Sequence, residues 1–169
     1  MCLGPSMISH QHKRQRRSAV VDPLRSKIMR AVRREGTTPE LRVRRAAHLL
    51  GFRFRLHRRD LPGTPDVVFP RFRTVVFVHG CFWHRHRNCP GSSTPKVRAG
   101  FWRDKFEANV RRDARTANDL QELGWRVCVV WECETVDFES LTRRIARLVD
   151  RGEAATRIRR CVNPLLHGE

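Results

Sequence analysis

The sequence predicts a three-layer α/β domain, with helices packed on both faces of a mixed central sheet. Three observations lead there. Helical and extended patterns alternate along a chain of 169 residues, a length that suits one domain with short tails. Two continuous apolar runs, 74–79 and 125–131, read as strands covered on both faces. A long helical segment separates those runs, so the two strands should lie parallel and be joined by a right-handed crossover.

The elements follow in order. Residues 1–21 form a basic arm: Lys13, Arg14, Arg16 and Arg17 precede the first acid, Asp22. The arm reads either as a flexible solvated tail or as a grip on a polyanion. Asp22-Pro23 is an N-cap with proline in the first helical position, opening a helix to about Arg34 that stops at Gly36. Thr38-Pro39 repeats the signal for a helix from Pro39 to Leu50, with Val43, Ala46, Ala47 and Leu50 as its buried stripe and Gly51 as its stop. Phe52, Phe54 and Leu56 alternate with Arg53 and Arg55, the pattern of a half-buried strand. A loop over 57–65 leads into a short strand over 66–69, and the turn at 70–73 makes it an antiparallel hairpin with 74–79. Residues 80–100 are irregular. A helix over 101–123 carries Trp102, Phe106, Val110, Ala117 and Leu120 on roughly one side, and Gly124 ends it. The strand 125–131 and a helix over 139–149, stopped near Gly152, complete a domain spanning 22–152; a tail of 153–169 follows.

Charge narrows the partner. The chain holds 35 Lys and Arg against 17 Asp and Glu, a net charge of +18, which draws polyanions and speeds encounters with them. Nucleic acid comes first, because neutralised phosphates release counterions. No stretch approaches the roughly 20 apolar residues of a membrane-spanning helix. The N-terminal region lacks the apolar core of a signal peptide, so the expected compartment is the cytoplasm. The six cysteines are then read as reduced thiols or metal ligands rather than disulfides.

Cys81, His86 and Cys89 share one short loop with C-x4-H-x2-C spacing, three ligands for a tetrahedral zinc. Cys133 is the candidate fourth. Cys81 and Cys133 each lie just past the C-terminal end of one of the two parallel strands, so both thiols emerge on one edge of the sheet. His84 can stand in for His86 on spacing alone, and Cys128, in mid-strand, reads as core. Asp66 starts the first hairpin strand, which brings it near Val78 and His79 at the end of the second. There it reads either as a turn aspartate or as a ligand for Mg²⁺, with a backbone carbonyl beside it. His79 and His84 read as surface imidazoles or as proton acceptor and phosphate contact. Glu40, in the first turn of its helix, either answers the helix dipole or reaches the same site. Phe82-Trp83 and Trp102 form either a mini-core over the zinc or a wedge that opens a base step.

The runs Pro62-Gly63-Thr64-Pro65-Asp66 and Val78-His79-Gly80-Cys81-Phe82-Trp83-His84 resemble those of the very short patch repair (Vsr-type) DNA mismatch endonucleases. So do Phe101-Trp102, Leu123-Gly124-Trp125-Arg126-Val127 and Val130-Trp131-Glu132-Cys133, and the similarity spans roughly residues 22–137. The resemblance implies a restriction-endonuclease-like core that nicks duplex DNA 5′ of the T in a T·G mismatch left by deamination of 5-methylcytosine. It implies Mg²⁺ on Asp66 and the Val78 carbonyl, His79 and His84 as catalytic histidines, and Glu40 in support of one of them. It implies a structural zinc on Cys81, His86, Cys89 and Cys133, and intercalation by Phe82, Trp83 and Trp102. Met29, Lys105 and Asn109 match family positions that touch DNA. The implied partner is double-stranded DNA, met by a monomer, with room for other repair proteins. Two features depart from pattern. Phe77 and His79 stand where the general restriction-endonuclease core has an acid and a lysine, which implies fewer protein carboxylates on the metal. Two residues, rather than one, separate His86 from Cys89. Rival readings are a zinc-containing DNA-binding module without catalysis, and a related endonuclease with another target.

Overall fold

The computed structural model of the chain describes residues 35–150. The helix expected to end near Arg34, Met29 within it, the basic arm and the C-terminal tail lie outside those residues.

Helix α1, Thr38–Leu49, starts on a capping box one residue earlier than the Thr-Pro signal suggested: Thr37 is the N-cap and Glu40 the third helical residue. Its end is a Schellman motif. Gly51 N donates to His48 O at 2.9 Å and Phe52 N to Ala47 O at 3.0 Å, with Gly51 at φ 74°. That use of the Phe52 amide shortens the next strand. β1 is only Arg55–Leu56, not the 52–56 expected; Phe52 and Phe54 pack their rings on the core instead of extending the ladder. β2 is Val67–Phe69, β3 is Thr74–His79, helix α2 is Ala99–Glu122, β4 is Arg126–Trp131 and helix α3 is Phe138–Asp150. A second Schellman motif closes α2: Gly124 N donates to Gln121 O and Trp125 N to Leu120 O, both at 2.9 Å.

The sheet runs β1-β2-β3-β4. The first two pairings are antiparallel, and β3 pairs with β4 in parallel, Val78 opposite Val130 and His79 opposite Trp131. Alternate side chains feed two cores, as the pleat requires. Val67, Phe69, Val76, Cys128 and Val130 join Val43, Ala46 and Ala47 of α1 and Leu141, Ile145 and Val149 of α3. Val68, Val75 and Val127 join Leu61, Leu120 and Trp125 on the α2 side. The three-layer α/β prediction therefore stands, a mixed sheet consistent with a restriction-endonuclease-like core, and the unbroken apolar runs reflect strands covered on both faces.

Candidate active site

One edge of the sheet gathers the chemistry. Asp66 immediately precedes β2, and antiparallel pairing carries it back to the C-terminal end of β3. The loop before it is held close to α2: a Cβ on Gly63 would lie 2.3 Å from Thr116 Cγ2, so only glycine fits there, and its φ is 69°. Val78 N donates to Asp66 Oδ2 at 2.7 Å, while Oδ1 accepts no hydrogen bond from the described residues. Burial pushes the Asp66 carboxyl up to about 6, against the Val78 amide, which favours the charged form.

Glu40 reaches this corner from α1. Its Oε1 accepts from Thr37 Oγ1 at 2.8 Å, and its Oε2 from the Gly36 amide at 3.0 Å and from Arg44 Nη2 at 2.8 Å. It is thus both part of the helix cap and a neighbour of Asp66: candidate ligand atoms of Glu40, His57 and Asp66 all lie within 4.8 Å of one another. An oxygen-rich set of this kind fits a hard divalent cation.

The imidazoles occupy the next position along the edge. His79 and His84 stack with centroids 3.8 Å apart and planes at 13°. Burial first, then the neighbouring His84, drives the His79 pKa down to about 3, so His79 is neutral. His84 Nδ1 lies 2.5 Å from Asp113 Oδ2. A carboxylate at Nδ1 fixes the proton there and leaves Nε2 as the acceptor in the neutral ring, as the orienting acid does in a hydrolase triad. The carboxylate against His84 is therefore Asp113 of α2, whereas Glu40 stands with Asp66 and His57.

Past the strand ends, Cys81, His86, Cys89 and Cys133 bring three sulfurs and a ring nitrogen within 4.8 Å of one another. His86 Nδ1 lies 3.6 Å from Cys81 Sγ and 3.3 Å from Cys133 Sγ. Tetrahedral zinc places such S···N edges about 3.6 Å apart, so the donor set fits that ion. Burial pushes the Cys81 thiol up to about 12 and also raises Cys133, so a divalent cation is what would make thiolates of them. The His86 ring stacks on Trp131 at 4.3 Å. With His84 engaged by Asp113, His86 is the imidazole turned toward the thiols. Cys128 is buried in the core, as its mid-strand position suggested.

The aromatic residues share one ledge. Phe82 lies 5.1 Å from Trp83 and 5.5 Å from Trp102, all three half-buried, and Phe106 supports Phe82 from below at 5.1 Å. Lys105 Nζ lies 5.7 Å from the Trp83 ring, and Asn109 Nδ2 donates to Trp83 O at 3.0 Å. α2 thus holds the loop through Asn109 and Asp113, four residues apart on one face.

Sequence reasoning missed Asp113, His57 and Arg44. Only the Asn109–Asp113 spacing offered a signal; His57 sits in a loop at φ 44° and its neighbours come from distant segments.

The sequence profile of the DNA mismatch endonuclease Vsr family matches residues 18–90. A type II nicking enzyme, V.XorIIP of Xanthomonas oryzae pv. oryzae, is 51% identical over 123 residues, covering 73% of this chain and 90% of that protein. The DNA mismatch endonuclease Vsr of Escherichia coli K12 is 43% identical over 137 residues, 78% of this chain and 86% of its own length. A type II nicking enzyme of Neisseria meningitidis, V.NmeAIP, is 38% identical over 125 residues, covering 74% and 89%. Motif, fold and these relatives agree, and the chain belongs to the Vsr family of DNA endonucleases.

Proposed function

We propose that this endonuclease is Mg²⁺-dependent and nicks duplex DNA on the 5′ side of the T in a T·G mismatch, opening very short patch repair. The observation that carries the reading is the Asp113-oriented His84 stacked on neutral His79, on the sheet edge shared with Asp66. Relatives described as a mismatch endonuclease and as nicking enzymes support a single-strand cut at a mispair.

Asp66, with the Val78 carbonyl, would hold the Mg²⁺, and Glu40 would support that centre. When bound, the ion lowers the pKa of a ligated water and offsets phosphate charge. His84, through Nε2, accepts the proton of the attacking water, and Asp113 stabilises the imidazolium that results. His79 stays neutral and donates its N–H to a phosphate oxygen. Cys81, His86, Cys89 and Cys133 would hold a structural zinc, which fixes the loop bearing His84 and the aromatic ledge. Phe82, Trp83 and Trp102 enter the opened base step as a wedge. Lys105, Asn109 and Met29 each touch the DNA. The protein acts as a monomer.

The test is strand-resolved gel analysis on T·G, A·C and matched duplexes, with and without Mg²⁺. Expected is one nick on the T strand of the T·G duplex, only with Mg²⁺. Asp66→Ala should lower that rate by about 10³-fold or more while duplex binding persists. Equal nicking of matched duplex would overturn the mismatch assignment.

A further inference from the structure

Helix α2 carries positive charge on both sides of the aromatic ledge, and the proposed wedge uses only one of them. Lys105 lies on that side, with Nζ 5.7 Å from the Trp83 ring and 5.9 Å from the Phe101 ring. Arg103 leaves the helix on the other: two residues turn an α-helix by about 200°, and buried Phe106 faces inward between them. Beside Arg103 a cavity of about 310 Å³ opens between α2 and the loop after β3. Phe106 and Val110 give it an apolar floor, and Arg85, Arg103, Arg111 and Glu107 line it as well.

Arginines on a helix surface are ordinarily solvated and need no ligand. Here the loop supplies one that is held in place. Arg85 is half-buried, its Nη1 donates to Ser92 O, and its guanidinium lies 4.7 Å over the Phe106 ring. A stacked and tethered guanidinium is ordered before a ligand arrives, so little side-chain entropy is lost on binding. Glu107 is the one acid of the lining, and Arg111 Nη1 stands 3.7 Å from it, so three guanidiniums face a single carboxylate. That balance calls for an anion, and the apolar floor calls for an anion with an uncharged body attached. A phosphodiester with its deoxyribose has both parts.

We infer that this cavity grips a backbone phosphodiester of the bound duplex beside the opened base step, on the side of α2 away from Lys105, with Arg85 and Arg103 as its donors. The inference rests on the reading of Phe82, Trp83 and Trp102 as a wedge. A groove has a phosphate backbone along each border, so side chains that enter it are flanked by phosphate on both sides. A hold on one side alone leaves the wedge free to tilt; a hold on both fixes its angle. Arg85 also follows His84 directly in the chain, so the same grip braces the segment that carries the proposed base.

The test is T·G duplex binding by the zinc-loaded, full-length protein without added Mg²⁺, read by fluorescence anisotropy as salt is varied. Arg103→Gln should weaken binding by about threefold at about 0.1 M salt. Combined with Arg85→Met, which keeps an apolar side chain on Phe106, it should weaken binding by about tenfold and lower the slope of log affinity on log salt by about 1. Arg143→Gln, at an exposed arginine of α3, should change neither. Replacing single phosphates with neutral methylphosphonates should then reveal one position beside the mispair that weakens wild type and leaves the double variant indifferent. Should the double variant not fold, Arg103→Gln carries the same comparison with a smaller coupling. Wild-type affinity and slope in the folded variants overturn the inference, and so does a variant that stays as sensitive as wild type at every phosphate. The wedge has its own reporter, 2-aminopurine beside the mispair, which brightens when the step unstacks. A bright probe without the phosphate coupling overturns the grip and leaves the wedge; a dark probe with the coupling intact overturns the wedge and leaves the grip.

Discussion

The two halves of the site are built by different means. At the carboxylate corner, backbone topology does the placing: the β2–β3 ladder delivers Asp66 to Val78, and a capping box on α1 delivers Glu40. In the loop after β3, no ladder runs. Its backbone bonds are local turns, such as His84 N to Gly80 O and His86 N to Cys81 O, both at 3.1 Å, and Arg85, Asn88 and Arg98 adopt left-handed φ. What ties that loop to the domain is side-chain convergence: Cys133 after β4, and Asn109 and Asp113 on α2. A ladder survives the loss of one side chain; a convergence of side chains does not.

The sharpest way to break this contrast is to disrupt the thiol cluster of one half. Cys133→Ser should lose the proposed zinc, read as metal content falling from one per chain to none. The melting temperature should fall by on the order of 10 °C, since metal binding is linked to folding. Nicking should fall by about 10²-fold or more, because the loop carries His84 and the aromatic ledge. The Asp66 corner should be indifferent, with its Mn²⁺ affinity unchanged. Loss of both together would show that the halves form one cooperative unit.

A smaller effect should come from the contact that bridges loop and helix. Asp113→Asn keeps the shape at His84 Nδ1 but removes the charge that stabilises its protonated form. Nicking at saturating duplex should drop by about 10²-fold, with the dissociation constant for T·G duplex little changed. Equal activity in the two proteins would deny Asp113 a part in orienting the base.

The same contrast explains what the sequence made readable. Helix stops at Gly51 and Gly124, the hairpin from Asp66 to His79 and the parallel crossover depend on local rules, and all appear in the fold. The pairing of β3 with β4 puts Cys81 and Cys133 on one edge, so the thiol cluster was legible once the topology was guessed. Arg44 and His57 were not legible. Their contact joins α1, beside the buried Glu40, to a loop residue at positive φ, and no periodicity encodes it. β1 was overcalled for a related reason: alternation showed that Phe52 and Phe54 face the core, but not that the Phe52 amide is consumed in ending α1.

The smallest expected effect concerns what the corner costs the fold. Burial raises the Asp66 carboxyl from its ordinary 3.8 to about 6. Between those values the native protein holds a proton that the unfolded chain has released. The contribution of this group is therefore full below pH 3.8 and is lost as pH rises through 6. The loss amounts to on the order of 2–3 kcal/mol. His79 acts in the opposite sense: its pKa is driven down to about 3, so its contribution is full above 6.5 and falls as the ring protonates at lower pH. The two terms oppose each other in a single stability profile, and the difference between Asp66→Asn and wild type isolates the first. Urea melts without added Mg²⁺ should find Asp66→Asn the more stable protein at pH 7.5 by about 2 kcal/mol, with the gap closing toward pH 4. Saturating Mg²⁺ should then stabilise wild type and leave the variant unmoved, because only the carboxylate gains a ligand to the ion. A gap that stayed constant from pH 4 to 7.5 would mean that Asp66 is not held against its own charge, and that the ladder sets its position without electrostatic cost.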